Sequence, residues 1–214
     1  MLAGESFALD LDFYQEGGIL CALSVGVFDR LSLGLSYGGS RLIGADTPEM
    51  NRLPGVAVKI RILEENVALP ALALGFESQG RDGYLKDAHR YVIKSPGAYL
   101  VASKNYAMLG FLSVHVGANF SFERADNDKD INFFAGVEKT IGGVVSVVAE
   151  YNLGSNDSNG DALGKGRGYL NAGLKWTVGG GLTLGICLKD LARNSSSDVT
   201  VANRTVRLEY AQPF

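Results

Sequence analysis

Hydrophobic and polar residues alternate with a period of two along almost the whole chain, most clearly over 111–123. Leu112, Val114, Val116, Ala118, Phe120 and Phe122 fall on one face there, and Ser113, His115, Gly117, Asn119, Ser121 and Glu123 on the other. A helix would scatter both sets around its circumference, whereas a strand separates them. Leu31, Leu33, Leu35 and Tyr37 alternate with Ser32, Gly34, Ser36 and Gly38; Leu170, Ala172, Leu174, Trp176 and Val178 alternate with Asn171, Gly173, Lys175 and Thr177. Such runs predict about twelve strands, at roughly 5–14, 19–28, 31–38, 55–63, 70–78, 97–105, 110–123, 131–140, 144–153, 169–178, 182–190 and 202–211. Most approach ten residues, the length a tilted strand needs to cross a bilayer, and exceed the five or six residues usual in soluble sheets.

The connections sharpen that reading. Turns at 28–30, 64–67, 107–109, 141–143 and 179–181 are tight, and between them lie longer polar stretches at 39–54, 79–96, 124–130, 154–168 and 191–201. Strict alternation in an antiparallel meander puts all tight turns at one rim and all long loops at the other, the asymmetry of outer-membrane barrels. Only the connection at 15–18 is short where a long one is expected. An even strand count then places both termini at the tight-turn rim.

Composition narrows the alternatives. The chain has 214 residues, 46% of them hydrophobic and 20% charged, enough for one large domain spanning 1–214. Its 28 glycines beside only 5 prolines suit a β-rich architecture rather than a low-complexity one. A net charge of -3 gives no electrostatic footprint for nucleic acid. No apolar run approaches eighteen residues, so helical spans are excluded while a β-barrel is not. Residues 1–13 lack the basic and apolar regions of a secretory signal, so an exported protein would be represented here by its mature form or a fragment. Cys21 and Cys187 fall on opposite parities, which argues against a disulfide, and no metal or cofactor motif is complete.

The polar parity carries charges in mid-strand. Asp10, Asp12, Glu77, Glu123, Glu138 and Glu150 oppose Lys59, Arg61, Lys104, Lys175, Lys189 and Arg207, and His115 shares their face. In a soluble sandwich that face would meet solvent. In a membrane barrel it lines a lumen, so Lys59, Arg61, Glu77, Lys104, His115, Glu123, Glu138, Glu150, Lys175, Lys189 and Arg207 are expected to line it. Tyr37, Tyr151, Trp176 and Tyr210 take the outward parity near strand ends, as girdle aromatics would.

The last segment, Val206-Arg207-Leu208-Glu209-Tyr210-Ala211-Gln212-Pro213-Phe214, alternates and stops on an aromatic. In this it resembles the final strand of bacterial outer-membrane β-barrel proteins, with Val206, Leu208, Tyr210 and Phe214 at the apolar and aromatic positions and Gln212 and Pro213 departing from the pattern. The segments 35–40, 71–79, 99–106 and 166–174 look like an uncharacterised bacterial barrel family, itself similar to barrels associated with exopolysaccharide export. The resemblance implies residence in the bacterial outer membrane, insertion by the barrel-assembly machinery and contact with outer-membrane lipid. Small solutes or polysaccharide are then the expected partners, and no cofactor is implied.

Ser113, His115 and Asn119 share one face, with alternate Cα atoms roughly 6.5 to 7 Å apart, but parity directs them into the lumen, away from lipid substrates. His89 lies in a polar loop. Asp157-Ser158-Asn159-Gly160-Asp161 opens like a calcium loop, yet Ala162 replaces the required Gly and Gly168 the bidentate Glu. This segment and 126–130 are therefore expected to be solvated loop tips. Gly164-Lys165-Gly166-Arg167-Gly168 lacks the helix a phosphate cradle needs, which leaves a flexible external loop with two cations. The expectation is an up-and-down transmembrane β-barrel of about twelve strands, non-enzymatic, serving as a small-solute pore or an envelope or export-accessory component. A lipid-modifying enzyme and a soluble β-barrel or sandwich binding module are the alternatives.

Overall fold

A computed structural model describes residues 2–80, 83–159, 161–196 and 203–214. In chain order the strands are β1 (Ser6–Tyr14), β2 (Gly18–Val27), β3 (Leu31–Ser40), β4 (Glu49–Met50), β5 (Gly55–Leu63), β6 (Ala71–Glu77), β7 (Tyr84–Leu85) and β8 (Arg90–Tyr91). They continue with β9 (Gly97–Ala107), β10 (Phe111–Ser121), β11 (Asn132–Ile141), β12 (Val145–Asn152), β13 (Tyr169–Gly179), β14 (Leu182–Lys189) and β15 (Asn203–Pro213). Three of these, β4, β7 and β8, are two-residue pieces inside long loops. The other twelve pair antiparallel with their neighbours, and β1–β15 together with β2–β3 closes the ring. Residue 202, the expected start of the last strand, lies outside the described residues.

Closure follows from the period-two pattern, because each strand offers one apolar face and a ring leaves no sheet edge unpaired. Among the described residues only six hydrophobic side chains are buried, whereas sixteen polar or charged ones are. A soluble sandwich would show the reverse. The apolar set is outside instead: Leu35, Ile60, Val116, Leu174 and Ile186 are all exposed on the barrel wall. Tyr37, Tyr151, Trp176 and Tyr210 stand out from the same face near the strand ends.

The turns explain the rims. Phe28 and Asp29 both adopt positive φ, as do Gly142 and Gly143, the geometry a two-residue turn needs to match strand twist. The turns after β2, β5, β9, β11 and β13 share one rim with the N-terminus and with Phe214, whose N–H donates to the Glu5 carbonyl at 3.0 Å. The long loops share the other rim, together with the short β1–β2 turn. The seam between first and last strands is locked inside the barrel, where Asp12 and Arg207 stand opposite each other and the guanidinium donates to both carboxylate oxygens at 2.6 and 2.9 Å.

Candidate functional site

The barrel interior is the site, and register decides what enters it. Residues paired across antiparallel strands share a face. His115 stands opposite Ser103 and Gly136, Lys59 opposite Ser32 and Gly75, and Arg61 opposite Ala73. Glu138 stands opposite Ser113 and Val148, Glu150 opposite Gly136 and Asn171, and Lys175 opposite Ser146 and Gly185. Glu77 faces inward beside Ala57, Lys189 beside Asn203 and Arg207 beside Gly185.

Two cavities occupy this interior, of about 540 and 760 Å³, and they adjoin at His115, Gly136 and Glu150. The first runs beneath Ile93-Lys94-Ser95 along the β12–β15 wall and carries Glu138, Lys175, Lys189 and Arg207. The second lies against β5, β6 and β9 and carries Lys59 and Arg61. Within the first, Lys175 Nζ reaches across β12 to Glu138 at 2.7 Å. Asn171 donates to Glu150 at 3.3 Å.

Register corrects one expected lumen residue. Lys104 stands opposite Val114, on the outward face with Leu100 and Tyr106. Its ammonium bends over the turn at 64–70, donating to the carbonyls of Asn66 and Val67 and lying 3.7 Å from Glu65. A charge on the lipid-facing parity is stable there because the flexible stem carries it to the polar rim. Glu123 keeps inward parity but lies past the end of β10, at the long-loop mouth. There its two oxygens accept the Tyr91 and Ser95 N–H groups at 2.7 and 2.9 Å. Burial pushes its pKa up, against the lowering effect of those two bonds.

The long loops are not the solvated tips expected of them. Residues 83–96 turn inward across the mouth as a strap, in which Arg90 is 1% exposed. Its guanidinium grips Asp157 at 2.6 and 2.9 Å and Asp126 at 2.8 Å. Lys94 Nζ donates to Asp126 at 2.7 Å and to the Asp128 carbonyl at 2.9 Å. The Tyr169 hydroxyl donates to Asp157 at 2.7 Å. Asp126 and Asp157 are buried as the counter-charges of the two strap cations, and Asp128 is buried beside them. Asp128 accepts N–H groups from Ser158, Asn159 and Asp130; burial works against its ionisation, but these bonds prevail and hold its pKa below the ordinary value. Gly160, inside the calcium-like motif, lies outside the described residues, and no His, Cys, Asp and Glu grouping suited to a metal occurs among those described.

The segment expected to be a flexible cationic loop is anchored. Asn194 is fully buried, and its side-chain oxygen accepts the N–H groups of Lys165 and Arg167. Asp190 in turn accepts those of Asn194 and Ser195. His89 is exposed. Ser113, His115 and Asn119 do share the lumen face but do not act on one another: Ser113 donates to Asn105 at 2.6 Å and His115 Nδ1 shares a hydrogen bond of 2.8 Å with Ser103. Both cysteines are free thiols, with Cys21 exposed.

No protein-family model matches the chain, and no curated protein does. Solved structures share its fold. The KdgM porin superposes with a TM-score of 0.59 at 12% identity, over 98% of this chain and 99% of its own. The NanC porin gives 0.55 at 10% identity, over 97% and 99%. The Acinetobacter baumannii outer membrane protein Omp33 gives 0.52 at 8% identity, over 98% and 97%. At such identities the likeness is one of fold: a closed twelve-strand barrel of the outer-membrane porin type.

Proposed function

We propose that the protein is a non-enzymatic channel of the bacterial outer membrane that passes small polar solutes. The observation that carries this reading is the pair of adjoining charged cavities inside a closed barrel whose outer wall is apolar. Every long loop belongs to one rim, which is the outward rim in barrels of this kind. Along the β12–β15 wall the lumen presents charges neutralised in pairs, Lys175 with Glu138 and Arg207 with Asp12, so that a hydrated solute meets a polar wall there without a strong net field. The KdgM porin was also solved in complex with disordered oligogalacturonate, which supports extending the solute class to small oligosaccharides. Recognition of the last strand by the barrel-assembly machinery is supported by Phe214, which is exposed and stacked on Phe7 at 6.5 Å. Outer-membrane lipid would cover the wall itself.

A structural or export-accessory role, the one implied by the resemblance to exopolysaccharide-export barrels, is favoured by a different observation, the ion-paired strap across the mouth. Liposome swelling separates the two. Proteoliposomes in an isosmotic solution of a neutral monosaccharide should swell at a rate that falls as pentose, hexose and disaccharide are tried in turn. A rate equal to that of protein-free liposomes for all three would leave the accessory reading standing.

A further inference from the structure

The cations of the lumen are not all treated alike. Lys175 and Arg207 have carboxylate partners at 2.7 and 2.6 Å, and Lys189 has an interaction of its own. Lys59 and Arg61 differ. They stand at alternate positions of β5, so both point inward with Cα atoms roughly 6.5 to 7 Å apart, and both line the 760 Å³ cavity. The flanking strands place Ser32, Ala73 and Gly75 opposite them, none of which is an acid.

The carboxylates around this cavity are engaged elsewhere. Glu64 pairs with Arg30 at 3.3 Å, and Glu65 accepts the Asn105 backbone and side-chain N–H groups at 2.8 and 2.6 Å. Glu150 accepts from Asn171, and Glu77, opposite Ala57, has an interaction of its own. Among the described residues no carboxylate comes within ion-pairing distance of Lys59 or Arg61. What Lys59 does meet is an aromatic face: its Nζ lies 5.9 Å from the centre of the Tyr99 ring. That ring packs over Gly75, its cross-strand partner, where an added Cβ would come within 2.2 Å of it.

We propose that Lys59 and Arg61 form a docking site for the oxyanion of a passing solute, a carboxylate or a phosphate, with Tyr99 as the adjoining wall. The proposal rests on the channel reading and names the charge class of the solute. Two like charges facing one cavity repel, and an anion placed between them relieves that repulsion while accepting charge-assisted hydrogen bonds. The arginine supplies a planar fork matched to two oxygens, and the lysine a point charge on a mobile stem. The small residues of the neighbouring strands leave the space such a ligand needs.

Saturation-transfer NMR on the folded barrel in detergent tests this, because it detects weak binding and does not depend on conduction. Glucuronate is the probe, glucose the uncharged control and inorganic phosphate the competitor. Glucuronate should give a signal that glucose does not and that phosphate displaces. K59Q/R61Q should weaken binding about tenfold or more, since charge-assisted hydrogen bonds are lost, while K86Q on the exposed loop surface should leave it unchanged. Gel mobility with and without heating checks that each variant is folded. Glucuronate binding no better than glucose, or equal in the double variant, overturns the proposal even where the barrel conducts. Binding lost in the double variant upholds the site, and bilayer recordings on the same samples then judge the channel reading separately.

Discussion

Replacing Arg90 with Gln should release the strap without unfolding the barrel. In the native protein the guanidinium is almost fully buried, with three bonds of 2.6 to 2.9 Å to the carboxylates of Asp157 and Asp126. The substitution leaves those carboxylates buried with Lys94 Nζ and the Tyr169 hydroxyl as their remaining side-chain donors. Breaking a buried ion pair from one side costs about 3–5 kcal/mol, mostly the penalty of the orphaned charge. The twelve interstrand ladders contain none of these bonds, so the loss falls on the local opening of residues 83–96 and not on the wall. At 1.4 kcal/mol per decade, amide exchange there should accelerate by roughly a hundredfold or more, while exchange in β12–β14 stays unchanged. Arg90→Met combined with Asp157→Asn removes one charge from each side, leaves Asp126 paired with Lys94, and should recover much of the lost protection. Hydrogen exchange followed by mass spectrometry reads both variants. Unchanged protection of 83–96 in Arg90→Gln would refute the strap as an ion-paired element.

Three other outcomes follow from the same geometry. Leu174 is 55% exposed on the outer wall, so Leu174→Arg should lower folding stability in lipid by about 2–4 kcal/mol if it lies at the midplane, as measured by urea unfolding in vesicles; no change would place that face away from lipid. Asp128 has a folded pKa below its ordinary 3.8, so its contribution is complete above that value and lost as pH falls through the lower one. Protection of the Ser158 and Asn159 amides, which its carboxylate accepts, should weaken only in strong acid, and Asp128→Asn should abolish that acid-dependent part; the same acid dependence in the variant would contradict the assignment. Single cysteines at 86 and 196 should react with an impermeant thiol reagent on intact cells, in a background lacking the native thiols, whereas cysteines at 29 and 180 should not. A cysteine at 157 should stay protected although it belongs to the reactive rim, because that position is buried; labelling at 180 but not 86 would invert the orientation.

Alternation made the wall legible because a lipid-facing strand is selected at every second position, and a one-residue slip would turn charges into lipid. For that reason the strands from Leu31 to Ser40 and from Tyr169 to Gly179 match their pattern almost to the residue. Alternation misplaces Lys104 because β9 has weak contrast, with Val101 inward and Ala102 outward. The useful signal was the shared parity of Lys104 with Leu100 and Tyr106, together with its nearness to a turn. The strap was not legible at all. Arg90, Asp126 and Asp157 are brought together by barrel closure across long sequence separations, and no local period reports such a meeting. Acid-rich turns read as solvated when their buried cation partners are contributed by another loop.

The central claim is that the barrel spans a membrane and conducts, and planar-bilayer recording tests it most directly. Purified protein, shown to be folded by its heat-modifiable mobility, should insert to give discrete, uniform current steps in symmetrical salt, with larger steps for Arg90→Gln as the strap is freed. Folded protein that inserts into the bilayer yet yields no steps, in the native form and in Arg90→Gln alike, would contradict it.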